Sequence, residues 1–332
     1  MNPTAIRSRF PATVLLSALG FCHVAGAAAI EAYRLKFGQA VDAGGSRNLV
    51  CLRSFSWNGH PHLLLLDPST LATSVPPADR FRVTEMSWLQ VEKVFKESAY
   101  IKAVMDDQSR SEPLQDAGIT RFSSEHKGID LTVDLCPSKK PLDRGLFRAL
   151  IRELVHEEKP VPVAIAVTGV WMEKHRSDLQ WLKGLVRGGE LSVTWINHSF
   201  SHRVSRNLPL NRNFLLETGT DIRSEILKTE IAMLENGLLP SIFFRFPGLV
   251  SDADLFEQVA GFGLIPVGSD AWLGKNMWPK EGSIVLVHAN GNEPIGITRF
   301  LTLLRRQKAD IIRGNWLLYD LRDSTAEQED SK

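Results

Sequence analysis

The sequence predicts an α/β protein: a parallel sheet or barrel built from successive βα units, preceded by a small β-hairpin plus helix segment. Three observations predict it. Asn58-Gly59 joins two apolar or alternating runs, the strongest short-range signal for a hairpin. From Gly128 onward, short apolar runs alternate with segments of helical period. Five of the six strand-like runs in that part end in ionisable residues, and parallel α/β proteins gather functional groups at the strand C-termini.

Residues 1–29 read as a signal peptide. Arg7 and Arg9 precede a mostly apolar run from Ala12 to Val24, and Ala25-Gly26-Ala27-Ala28-Ala29 offers A-x-A cleavage sites, so the mature chain is expected to begin near Ile30. The run is short of a full membrane span, and Pro11 and His23 do not suit one. Cys22 follows the bulky Phe21, which argues against lipidation. No later segment is apolar for long enough to span a bilayer, so the expectation is an exported protein, periplasmic or secreted, with no membrane span after cleavage.

Residues 30–127 form the lead-in. Asn48 to Trp57 and His60 to Leu66 are the hairpin strands, and Ser87 to Met105 is expected as one amphipathic helix, with Trp88, Val91, Val94, Phe95 and Ile101 near helical spacing. His60 and His62 read as solvated turn residues. Cys51 and Cys136 are the cysteines left after cleavage. Two are no disulfide framework, and each is by default a buried small hydrophobe, although an oxidising compartment permits pairing if they lie within reach.

Residues 128–322 carry the βα series. Strands are expected at Ile129 to Val133, Val161 to Val167, Leu191 to Ile196, Ser241 to Phe244, Leu264 to Val267 and Ser283 to Val287. Helices are expected at Leu142 to His156, Asp178 to Arg187, Asp221 to Glu235, Asp252 to Gly261 and Pro294 to Arg306. Residues 323–332 form a polar tail expected to be disordered. At 332 residues with 43% hydrophobic content the chain can fill a core, and a net charge of +1 without a basic cluster excludes a nucleic-acid footprint.

The strand-end residues are Asp134, His198 with His202, Arg245, Asp270 and His288. Two imidazoles four residues apart, in Asn197-His198-Ser199-Phe200-Ser201-His202, can grip one divalent ion, which would polarise an acyl oxygen and acidify a bound water. Asp143, just inside the next helix, suits a first-turn carboxylate. Asn197, Asn290 and Asn292 add polar capacity or serve turns.

In order, Thr132-Val133-Asp134-Leu135-Cys136-Pro137 looks like a T-F-D-D-G-P motif, the His198/His202 segment like N-H-[ST]-x-x-H, and Phe244-Arg245-Phe246-Pro247-Gly248 like an R-x-P segment. Asp270-Ala271-Trp272 looks like D-x-W, and Ile284 to His288 like a strand ending in a catalytic histidine. With these motifs, residues 127 to 306 resemble the polysaccharide deacetylase family, the NodB homology or carbohydrate esterase family 4 domain. The resemblance implies a deformed (β/α) barrel of the polysaccharide deacetylase type, acting as a hydrolase on the carbon–nitrogen bond of N-acetylated sugars or polysaccharides.

It also implies roles. Asp134 is the base, Arg245 its charge partner, His288 the acid and Asp270 the group orienting His288. His198 and His202 hold a divalent metal, zinc foremost. The Gly248 amide helps bind the oxyanion, and Trp272 is either a wall of the acetyl pocket or core. The sequence departs from the family at Leu135, where a metal-binding aspartate is expected, and at Cys136, where a glycine is. Leucine cannot coordinate a cation, which leaves three outcomes: Asp134 is the third ligand, Cys136 is, or the site holds no catalytic metal. The alternative to the enzyme is a non-catalytic glycan-binding relic of the same fold, and a metal-dependent hydrolase of an ester or non-glycan amide is a third reading.

Overall fold

A computed structural model describes residues 29–109, 114–123, 127–154 and 158–327. The signal peptide expected at residues 1–29 lies, except for Ala29, outside the described residues.

The N-terminal region is a five-stranded antiparallel sheet. Its strands are β1 (Ile30–Asp42), β2 (Asn48–Trp57), β3 (His60–Leu66), β4 (Thr73–Ser74) and β5 (Phe81–Glu85), in the order β4-β3-β2-β1-β5. The expected hairpin is present: Trp57 pairs with His60, and Asn58 and Gly59 take φ of 50° and 80°, the left-handed pair a two-residue turn needs. β1 was not foreseen. Register shifts between Glu31 and Arg34 and between Leu35 and Gly38 break the alternation by which a strand is recognised.

The single helix expected over Ser87 to Met105 is instead two, α1 (Trp88–Val94) and α2 (Ala99–Ser109). Ser98 causes the break: its Oγ donates to the Phe95 carbonyl at 2.6 Å and accepts from Ile101 N at 3.3 Å, closing one helix and starting the next.

The larger part is a curled parallel sheet, an open half-barrel with helices. In chain order its elements are β6 (Gly128–Leu135), α3 (Arg144–Leu154), β7 (Val161–Val167), α4 (Gly169–Lys174), α5 (Arg176–Arg187), β8 (Leu191–Asn197), α6 (Ile222–Glu235), β9 (Pro240–Phe244), α7 (Ala253–Ala260), β10 (Ile265–Pro266), β11 (Ala271–Trp272), β12 (Ser283–His288), α8 (Pro294–Ile312), β13 (Leu317–Leu318) and α9 (Leu321–Glu327). The strand order is β10-β9-β8-β7-β6-β12-β11, with β13 beside the start of β6. Asp221 and Asp252 cap α6 and α7 through their side chains, and Asp143 accepts from Leu146 N at the start of α3.

Alternation along β6 assigns its two faces. Leu131, Val133 and Leu135 enter an outer core with Phe147, Trp171, Leu179 and Phe300 beneath the helices. Thr132 and Asp134 face the other way. On that inner side, Ala164, Ala166, Ile196, Ile242 and Ile284 pack with Tyr100, Ile101 and Val104 of α2 and with Val50 and Leu52 of β2. A half-barrel leaves its concave apolar face open, and the N-terminal region closes it, at roughly 1.5–3 kcal/mol per large apolar side chain buried.

The tail expected to be disordered from residue 323 is helical as far as Glu327. Ser324 and Thr325 are buried, and Ser324 Oγ donates to Asp130 Oδ1 at 2.8 Å, a tertiary bond that polar composition does not reveal. Among the described residues no helix is long and apolar enough to cross a membrane.

Candidate metal and acid–base site at the strand ends

Strands β6, β8, β9 and β12 all end at one rim. Leu135 is fully buried in the outer core, so the position where the resemblance expects a metal-binding aspartate points away from the rim. Cys136, just past the end of β6, has its Sγ 3.5 Å from His198 Nε2. Asn290 Nδ2 donates to the Cys136 carbonyl at 2.8 Å and fixes this turn.

The loop after β8 is folded so that both imidazoles face one point. Ser199 and His202 take positive φ, 65° and 45°. Asn197 Oδ1 accepts from Ser199 N, and Ser199 Oγ accepts from His202 N. Glu225, in the first turn of α6, accepts from Phe200 N at 2.9 Å, Ser201 N at 2.8 Å and Ser201 Oγ at 2.7 Å. Sequence reasoning missed Glu225, which reads as an ordinary helix-surface carboxylate.

His198 is fully buried, and burial pushes its pKa down against the pull of Asp134, so the ring is neutral. Its Nδ1–H donates to the Arg245 carbonyl at 2.8 Å, which directs the Nε2 lone pair at the cluster. From Nε2, Cys136 Sγ lies at 3.5 Å and Asp134 Oδ2 at 3.6 Å. The two histidine rings are 4.8 Å apart, and His202 packs edge-on against Phe214. Ligand atoms of Cys136, His198 and His202 all lie within 4.8 Å of one another, as do those of Asp134, Cys136 and His288.

Arg245 is fully buried. Its Nη1 is 3.6 Å from Asp134 Oδ1, and its Nη2 donates to Thr132 Oγ1 at 3.0 Å. Among the described residues, Asp134 Oδ1, Arg245 Nε and Nη1, and His202 Nε2 are buried without a hydrogen-bond partner.

His288 Nδ1 is 3.1 Å from Glu293 Oε2, and Trp272 Nε1 donates to the same oxygen at 2.7 Å. The carboxylate that orients His288 is therefore Glu293, not Asp270. Asp270 accepts from Ser283 Oγ at 3.1 Å and lies 3.9 Å from Arg121 Nε. Burial pushes His288 down, but the Cys136 thiolate, Glu293 and Asp134 outweigh it and hold the imidazole protonated well above its usual range. Conversely, burial raises the Cys136 thiol, and His202 and His288 more than offset that, bringing it down to about 7.

Trp272 is half-buried beside His288, ring centroids 5.7 Å apart, with Lys275 Nζ 3.7 Å from its ring centre. Gly248 takes φ of 63°, and Phe214, which packs against His202, stands 2.5 Å from where a Cβ would lie. Asn197 and Asn290 hold backbone rather than facing the cluster. Cys51 and Cys136 are both free, buried thiols.

Fold and site together define a class: an open parallel half-barrel with a buried sulfur–imidazole–carboxylate cluster at its strand ends. Residues 33–101 match the family described as RP012 protein N-terminal domain. Part of the chain, roughly two thirds of it, is similar to solved structures of family 4 carbohydrate esterases. One from Bacillus anthracis is 19% identical over 64% of this chain and 88% of that one, with a TM-score of 0.47. The peptidoglycan N-acetylglucosamine deacetylase Bc1960 is 15% identical over 61% and 90%, with a TM-score of 0.44. BA3943, a family 4 pseudoenzyme from Bacillus anthracis, is 15% identical over 62% and 77%, with a TM-score of 0.40.

Proposed function

We propose that this protein is an exported, metal-assisted hydrolase that removes N-linked acetyl groups from an N-acetylated sugar or polysaccharide. The observation that carries the reading is the meeting of three sets of groups at one rim: the Cys136/His198/His202 ligand atoms, the Asp134–Arg245 pair and the His288–Glu293 pair. The residues fit a divalent ion: His198 Nε2 is neutral and aimed, His202 Nε2 is buried without a partner, and a third donor is at hand in Cys136 or Asp134. Export rests on the pattern of residues 1–29.

A bound divalent ion would polarise the acyl oxygen and lower the pKa of the attacking water. Asp134 takes the proton from that water as its oxygen attacks the acyl carbon. Arg245, with Nη1 3.6 Å from Oδ1, is the charge partner of Asp134 and fixes its direction. With Nδ1 held by Glu293, His288 presents Nε2–H to the leaving nitrogen and gives up that proton as the carbon–nitrogen bond breaks. Trp272 holds Glu293 in place and borders His288, so it orients the acid as well as walling the site.

The test is acetate release from a panel of N-acetylated oligosaccharides, with elemental analysis of the purified protein. Wild type should hold a stoichiometric divalent ion and release acetate, His198→Ala should lose the ion, and Asp134→Ala should lose turnover. Sugar binding with neither metal nor turnover would overturn the enzyme and favour the glycan-binding relic, the reading that Leu135 in place of a carboxylate supports.

A further inference from the structure

We infer that Cys136 is the third protein ligand of the ion, so that the site is thiolate–imidazole–imidazole, with Asp134 left free to act as base. This inference rests on the reading that the rim binds a divalent ion. Leu135, the last residue of β6, lies in the outer core, while Cys136, the next residue, has its Sγ beside both histidines.

The distances agree. With metal–sulfur near 2.3 Å and metal–nitrogen near 2.0–2.1 Å, a tetrahedral zinc site spans about 3.5 Å between sulfur and nitrogen. Cys136 Sγ and His198 Nε2 are 3.5 Å apart. Asp134 Oδ2, at 3.6 Å from the same nitrogen, is only slightly beyond the oxygen–nitrogen edge of about 3.4 Å, so distance alone does not separate the two.

Company and commitment do. The ligand group that contains both histidines contains Cys136 and not Asp134. Asp134 also shares its charge with the fully buried Arg245, whose Nη1 is 3.6 Å from Oδ1. Cys51 supplies the internal contrast. It too is buried, but among Ala40, Leu49, Leu63 and Leu65, and it belongs to no potential ligand group among the described residues. A thiolate in the first coordination sphere favours zinc and cobalt over the magnesium and manganese that oxygen ligands suit.

Cobalt(II) is the probe. The purified protein, stripped and refilled, should take one cobalt per chain and show a thiolate-to-cobalt charge-transfer band in the near ultraviolet. Cys136→Ser should lose the band and weaken zinc binding by more than the ~10–100-fold typical of an outer-sphere partner. Asp134→Asn should keep both band and stoichiometry. Zinc should also slow alkylation of Cys136 by a small thiol reagent without affecting Cys51, a readout that holds even if Cys136→Ser fails to fold. Cobalt bound without the band, lost in Asp134→Asn and kept in Cys136→Ser, overturns the assignment while sparing the metal reading. A wild-type protein that takes up no divalent ion overturns both.

Discussion

Arg53 and Arg245 are both fully buried and both face a buried carboxylate, yet the two pairs are built to opposite ends. Arg53 meets Glu230 through parallel bonds, Nε to Oε2 at 2.8 Å and Nη2 to Oε1 at 2.9 Å. Its Nη1 donates to the carbonyls of Leu52 and Phe262, and Tyr33 donates to Glu230. Nothing in that network remains unmatched, and it ties β2 to α6. Arg245 stands 3.6 Å from Asp134, with Nε, Nη1 and Asp134 Oδ1 all lacking a hydrogen-bond partner among the described residues. A closed pair fixes two elements together; an open pair keeps charge and hydrogen-bonding capacity for something that arrives. Helix α6 serves both, since Glu230 holds the N-terminal sheet while Glu225 holds the histidine loop.

The largest effect should come from breaking the closed pair. Glu230→Ala leaves a buried guanidinium unpaired and should cost ~3–5 kcal/mol in denaturant unfolding, whereas replacing Arg53 and Glu230 together by Met and Leu should cost far less. A Glu230→Ala loss below ~1 kcal/mol would show that Arg53 finds water and that the pair is not the tie described. Asp134→Asn should sharpen the contrast. Its stability cost should be less than half that of Glu230→Gln, while acetate release falls by ~10²–10⁴-fold through loss of the base. Equal stability costs for the two variants would erase the distinction between closed and open pairs.

Those pairs also show what the sequence could reveal. The βα series was legible because period-2 and period-3.6 patterns follow directly from which faces are buried, and Asp134, His198, His202, Arg245 and His288 were legible because they end strands. Glu293 and Glu225 were not, since each follows or precedes a loop whose path decides what the carboxylate reaches; nothing about Glu293 before Pro294 announces His288. Asp270 shows the converse, a strand-end acid that meets Ser283 and Arg121 instead. Cys136 was left open against Asp134 because choosing between them needs distances to both imidazoles.

Glu293→Gln tests the next rank of effect. The glutamine can still meet His288 and Trp272, but without charge it no longer holds the imidazole protonated, so kcat should fall by ~10–100-fold with little change in unfolding. Burial lowers the His288 pKa, while Cys136, Glu293 and Asp134 raise it. Removing one raising group lowers it, and the alkaline limb of the rate profile should move to lower pH. An unmoved limb together with an intact rate would return the orienting role to Asp270.

Asp130 completes the comparison as a buried carboxylate with no cation partner among the described residues. It is 1% exposed, accepts one bond from Ser324 Oγ, and leaves Oδ2 without a partner among the described residues. Burial, first, and then Asp320 and Asp323 raise its pKa well above the ordinary value, against the Ser324 bond. A carboxyl whose folded pKa is raised contributes its full stability below the unfolded pKa of about 4, and loses it as pH rises through the folded value. At neutral pH wild type therefore bears a penalty that Asp130→Asn removes, because the amide oxygen still accepts from Ser324 and no charge is buried. The variant should unfold at a modestly higher denaturant midpoint at pH 7, with the advantage shrinking toward pH 4. An advantage that grew on acidification would mean that Asp130 is ionised and held by a cation, and the molecule would then contain a third pair rather than an unpaired acid.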